Sequence, residues 1–260
     1  MAHGTVKFFD CEDPFSLADW EVQNGPNPAL TNQRAQALNK NGNEFAHKQY
    51  GGQFAGTLNY TCKKVSGFAA VPYIGTVANG WHIDNWIVTY SQTGFPVLAI
   101  TCHKHDTSRG GVLDSNCRTY APTFKVPACF GVPTVIPKLD EGNVFELDDE
   151  AVITVRGMTL SMSLNHVDEP GKDGEHFAGN NYDGSETIGV EFTGEATTDD
   201  FTIDSDWTDD TFAPSNGGNT VATTASLSIS HHVSHYVPPI VGAKGAKKDA
   251  GAAKEAEKPQ

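Results

Sequence analysis

The chain has 260 residues with a formal net charge of −14, and its last twenty, with five lysines and three acids, are basic, so the remaining 240 stand at −16. A body this acidic repels nucleic-acid phosphate and argues against a DNA-binding protein. No window approaches the roughly 18–20 apolar residues of a membrane helix. Residues 1–10 lack the basic and apolar regions of a secretory signal.

In chain order, the first predicted element is a short helix over residues 31–39, where Arg34, Ala35, Gln36, Ala37 and Leu38 follow the capping residue Thr31. The second copy lacks this insert. A block that occurs twice comes next. Gly42-Asn43-Glu44-Phe45-Ala46 aligns with Gly174-Glu175-His176-Phe177-Ala178 at an offset of 132, and six of the twenty residues over 42–61 are identical in the second copy. Tyr50 meets Tyr182, Gly52 meets Gly184, and Tyr60 meets Phe192. The matches are turn-forming and core-forming residue types, which argues for duplication of a folding unit.

Thr57-Leu58-Asn59-Tyr60-Thr61-Cys62 alternates with period two, and the stretch from His82 to Tyr90 is rich in β-branched and aromatic residues; both predict strands. A second repeated block follows, Leu98-Ala99-Ile100-Thr101-Cys102-His103 against Leu227-Ser228-Ile229-Ser230-His231-His232, at an offset of 129. Residues 106–150 carry Pro122, Pro127, Pro133 and Pro137 and read as an extended arm. Further alternating runs at 159–164 and 225–230 predict strands in the second copy. The Ala/Gly/Lys/Glu-rich end has no large apolar residue beyond Val241 and is expected to be disordered. The resulting expectation is an all-β chain of two tandem, related β-sandwich or barrel domains: 1–105, a connector arm 106–150, a second copy 151–240 and a tail 241–260.

Cys11, Cys62, Cys102, Cys117 and Cys129 are odd in number and form no CxxC pair, which predicts reduced thiols in a protein made in a cytoplasm. His103 and His105 share a strand face, as do His231 and His235, and each pair is a weak candidate for seating a metal. Neither pair has an evident third ligand, so the expectation is polar residues at strand ends and no metal or other cofactor. The acidic run Asp199, Asp200, Asp204, Asp206, Asp209 and Asp210 matches no calcium loop and predicts a solvated or channel-facing hairpin. Trp81, Trp86 and Trp207 lie in strand-like runs, which favours core packing over a sugar-binding platform. There is no GxSxG elbow, Walker loop or GxGxxG fingerprint, and no enzyme activity is expected.

The duplicated G-x-x-F-A-(x)3-Y-x-G block, the β-rich copies, the proline-rich connector and the acidic body resemble the tail tube proteins of tailed bacteriophages. The resemblance covers residues 1–240 as architecture. It implies a structural virion protein, made in the host cytoplasm, that assembles with itself and other virion proteins. It further implies a homotrimer with pseudo-six-fold symmetry around a channel, the six aspartates lining it, with DNA as non-adhesive cargo and no membrane partner. The alternatives are a capsid decoration protein, a carbohydrate- or surface-binding β-sandwich, and a metal-dependent β-barrel enzyme using the histidines.

Overall fold

The computed structural model describes residues 13–26, 28–107, 112–114, 117–140, 142–172, 175–215 and 224–233. The tail, His235 and the turn residues Asp173 and Gly174 lie outside these. The described chain is all-β. Its strands are β1 (Trp20–Asn24), β2 (Ala29–Leu38), β3 (Glu44–Cys62), β4 (Phe68–Ala69), β5 (Val77–Ala78), β6 (Trp81–Ser91), β7 (Val97–His105), β8 (Val126–Pro127), β9 (Val135–Pro137), β10 (Asn143–Leu147), β11 (Ile153–Pro170), β12 (His176–Gly194), β13 (Phe201–Ile203), β14 (Thr208–Ser215) and β15 (Thr224–Val233). A 3-10 turn, Thr198–Asp200, precedes β13.

One ten-stranded sheet runs through both halves in the order β1-β3-β7-β6-β11-β12-β15-β14, with β2 also on β3 and β5 on β6. The two halves are therefore not separate sandwiches, because β6 pairs antiparallel with β11 from Ser91↔Gly157 to Asn85↔Ser163. The order within each half is the same. The long strand β3 is flanked by β1 and β2 on one side and β7 on the other; β12, at an offset of 132, is flanked by β11 and β15. β6 then lies beyond β7 as β14 lies beyond β15.

Residues 31–39 are not a helix, because Ala29–Leu38 pairs along β3 from Ala29↔Ala55 to Leu38↔Glu44. Helix propensity is worth tenths of a kcal/mol per residue and a helix this short is marginal alone, so the cross-strand partner wins. Nor is the segment an insert. Counterparts of β1 and β2 run together in β11, whose hairpin with β12 extends from Ile153↔Gly194 to Pro170↔His176. Pairing also refines the second repeat. Leu58 faces Ile100 and Val190 faces Leu227, so Ile100 rather than Leu98 corresponds to Leu227. The two-residue shift preserves the face, since side chains alternate with period two.

The core begins as a row across six strands. Tyr60, Leu98, Val88, Leu160, Ile188 and Ile229 are register partners in succession, and each is fully buried. Residues 106–150 do not stand off as an arm. Phe124, Val126, Ile136, Val144 and Phe145 are buried against the sheet, and β10 pairs with β9 and β13 in a second, three-stranded layer. The prolines break this segment into short strands, and its apolar residues cover the sheet face that would otherwise meet water. Trp86 meets Phe124 edge-on, and Phe124 meets Trp207. Both tryptophans are buried, so neither forms a sugar platform.

Candidate functional site

Where β6 and β11 stop pairing, below Asn85↔Ser163, the two strands part and polar side chains fill the fork. Strand alternation aims these groups inward: His82 and Asp84 on β6, His103 and His105 on β7, His166 and Asp168 on β11. β12 adds His176 and Asn181, and the connector adds Asp114 and Cys117. His82, His103, His105, His176, Asp114 and Asn181 are all buried. Five of the ten histidines of the chain are thus gathered at the junction of its two halves.

Their contacts form one network. The Nδ1 of His103 donates to Asp84 Oδ1 (2.7 Å), which also lies 2.9 Å from His82 Nδ1. The Nδ1 of His166 donates to Asn181 Oδ1 (2.6 Å), and the Asn181 amide is oriented by its own bond to the carbonyl of Arg118 (2.7 Å). Asp114 receives His105 Nε2 at 3.1 Å on one oxygen and His176 Nε2 at 2.9 Å on the other. Asp168 Oδ1 lies 2.8 Å from His166 Nε2 and 3.2 Å from His105 Nε2. His105 and His176 stack in parallel with ring centroids 3.4 Å apart. Two buried ring nitrogens, His103 Nε2 and His176 Nδ1, have no hydrogen-bond partner.

Burial opposes ionisation of Asp114 and Asp168, but hydrogen bonds from the surrounding histidines outweigh it and hold both carboxyls well below the usual carboxylate range. Burial likewise disfavours the charged form of His103, yet Asp114 and Asp84 beside it raise its pKa to about 9. His176 moves the other way, lowered by burial and by the charge of His105 stacked on it. On its outer side the cluster meets a cavity of about 300 Å³ lined by His105, Asp168, His176, Tyr50, Gln53 and Glu175. Asp168 alone among the cluster carboxylates is substantially open there, with 42% of its side chain exposed.

His103 and His105 are therefore not exposed strand-end residues; the fold brings them together and buries them. His231 is elsewhere, near Glu186 (3.2 Å) and stacked against Trp207. The six aspartates do not form one acidic strip. Asp200 caps the 3-10 turn through the Thr197 amide (2.6 Å), and Asp204 pairs with Lys138 (2.6 Å). Asp199, Asp206 and Asp210 are exposed, and Asp209 is the second residue of the edge strand β14, in register with Ile229.

His82, Asp84, Asp114, Cys117, His166, Asp168, His176 and Asn181 were not singled out by sequence reasoning. A signal for them existed: His82-x-Asp84, His103-x-His105 and His166-x-Asp168 are three pairs at spacing two on three strands. No family model and no curated protein matches the chain.

Proposed function

We propose that the chain is a structural subunit that assembles with copies of itself, three chains forming a pseudo-hexameric ring, as a tail tube protein of a virus particle does. The observation that carries this reading is the junction of β6 with β11. It joins the last strand of one repeat to the first strand of the next within a single sheet, and the same kinds of edge recur at the two ends of that sheet. β14 at one end is the counterpart of β6; β1 and β2 at the other are counterparts of β11. Repeating the internal step would set β14 of one chain beside β1 and β2 of another. A heterologous contact of this kind closes into a ring when the rotation per step divides the circle.

The stretch of the first half that corresponds to Gly157–Ser163 contains Pro26 and Pro28, which have no amide hydrogens. Pairing between chains would therefore be weaker than the internal pairing, and the prolines keep the edge of a lone chain from pairing indiscriminately. The acidic groups Asp199, Asp206 and Asp210, together with the net charge of the body, suit a channel wall to which DNA does not adhere.

Negative-stain microscopy with mass measurement of the purified chain tests the reading. Rings or tubes with six-fold modulation, built from trimers, are expected. A monomer at every concentration, even with other virion proteins added, would overturn it.

A further inference from the structure

We infer that the fork between β6 and β11 is a binding site for one divalent first-row transition ion, held by His103, His105, His166, Asp114 and Asp168. One donor atom from each of these five lies within 4.8 Å of all the others. The close separations are near the edge lengths of a coordination polyhedron. Asp114 Oδ2 lies 3.4 Å from His103 Nε2, 3.1 Å from His105 Nε2 and 3.6 Å from His166 Nε2. Metal–ligand bonds of about 2.0–2.1 Å put neighbouring donors roughly 3.0–3.4 Å apart in octahedral or tetrahedral sites.

A second observation is independent of the clustering. His103 Nε2 is buried without a hydrogen-bond partner, a state that is costly unless another group satisfies the nitrogen. Its other nitrogen donates to Asp84, and the Nδ1 of His166 donates to Asn181, so in both rings Nε2 is the nitrogen turned toward the carboxylates Asp114 and Asp168, unpartnered in His103 and on Asp168 Oδ1 in His166. Carboxylate or carbonyl acceptors behind metal-bound imidazoles are the usual way such rings are oriented. With the ion in place of the Nε2 protons, three neutral imidazoles, two carboxylates and a divalent cation sum to zero charge, which relieves the cost of burying Asp114. The mixed nitrogen and oxygen donors favour Zn²⁺ and its neighbours over Mg²⁺ or Ca²⁺. His176, donating to the second oxygen of Asp114, and Asp84 are positioning residues. Gly179 allows the close fit, since a Cβ there would collide with Asp114 and with the His166 ring. The ligands come from β7, the connector and β11, so the ion would tie the two halves of the chain together beside the cavity through which it enters.

The untagged full chain, purified without chelator, should contain about one equivalent of a first-row divalent metal by elemental analysis. After chelator treatment it should melt at a lower temperature and bind one Co²⁺ with visible d–d absorption. Asp114→Asn and His103→Gln should lose stoichiometric binding, Asp84→Asn should weaken it about 10–100-fold, and His231→Gln should leave it unchanged. A folded, chelator-treated parent chain that shows no Co²⁺ absorption and no shift in melting temperature with Zn²⁺ would overturn the inference, whatever the variants do. Equal affinity of the parent and a folded Asp114→Asn variant would also overturn it.

Discussion

Glu186 is the polar exception in an apolar row. Leu58, Ile100, Trp86 and Met162 lead across the sheet to Glu186, which is fully buried. Its carboxylate accepts from the Thr123 amide (2.6 Å) and hydroxyl (2.5 Å), which fastens the connector to β12. Burial raises its pKa above the ordinary glutamate value despite those bonds. The folded chain therefore holds this proton to a higher pH than the unfolded chain does. Stability from this group is present at and below the ordinary glutamate value and is lost as pH rises through the folded value. Glu186→Gln, uncharged throughout, should show less loss of melting temperature over that window than the parent; identical slopes would refute the assignment. A second residue-scale expectation concerns the thiols. Burial pushes Cys102 and Cys117 up to about 12, so both should resist alkylation at neutral pH in the native chain and react after unfolding. Rapid native labelling of either would contradict their place in the core.

At the scale of elements, the two hairpins β2–β3 and β11–β12 share a design but not surroundings. Residues 44–49 of the first are all exposed, whereas β12 is clasped by the connector through His176 and Asn181. Gly75 makes that clasp fit: at φ +79° its Cβ would run into the Arg118 carbonyl and the Asn181 amide, so Gly75→Ala should lower the melting temperature by several degrees. Both hairpins present an aromatic ring near the tip, Phe45 at 70% and Phe177 at 65% exposure, related by the offset of 132. Exposed rings at equivalent positions suit contact with another copy, because neither contributes to the core of its own chain. The double substitution Phe45→Ser/Phe177→Ser should leave the melting temperature within about a degree while lowering the fraction of assembled chain in sedimentation. Unchanged assembly would remove the hairpin tips from the interface. The hairpins were legible in the sequence because β3 and β12 alternate strongly and repeat. β2 was not, since its Ala, Gln and Leu carry helix propensity and only the partner strand decides their state. The histidine cluster was half legible. His103 and His105 announce a shared face, but Asp114 arrives from a loop and His166 from the other half, and only the pairing of β6 with β11 brings them near.

For the whole molecule, the strand order makes a definite demand on any assembly. The sheet ends at β14 on one side and at β1 and β2 on the other, with no further strand paired to either among the described residues. Inside the chain the equivalent edges, β6 and β11, meet over seven register pairs. Unpaired edges of a long sheet expose backbone donors and acceptors and exchange their amide hydrogens quickly; paired edges do not. Amide exchange followed by mass spectrometry on dilute and assembled chain should therefore show new protection in peptides covering β14 and in those covering β1 and Ala29–Thr31. Peptides from β6 and β11, already paired, should exchange at the same rate in both states and serve as the internal control. The prolines at 26 and 28 have no amides to protect, so the gain on the β1–β2 side should be split into two patches around them. Protection confined to the hairpin tips, with β14 unchanged, would mean that chains stack without continuing the sheet, and the ring built by strand pairing would have to be abandoned.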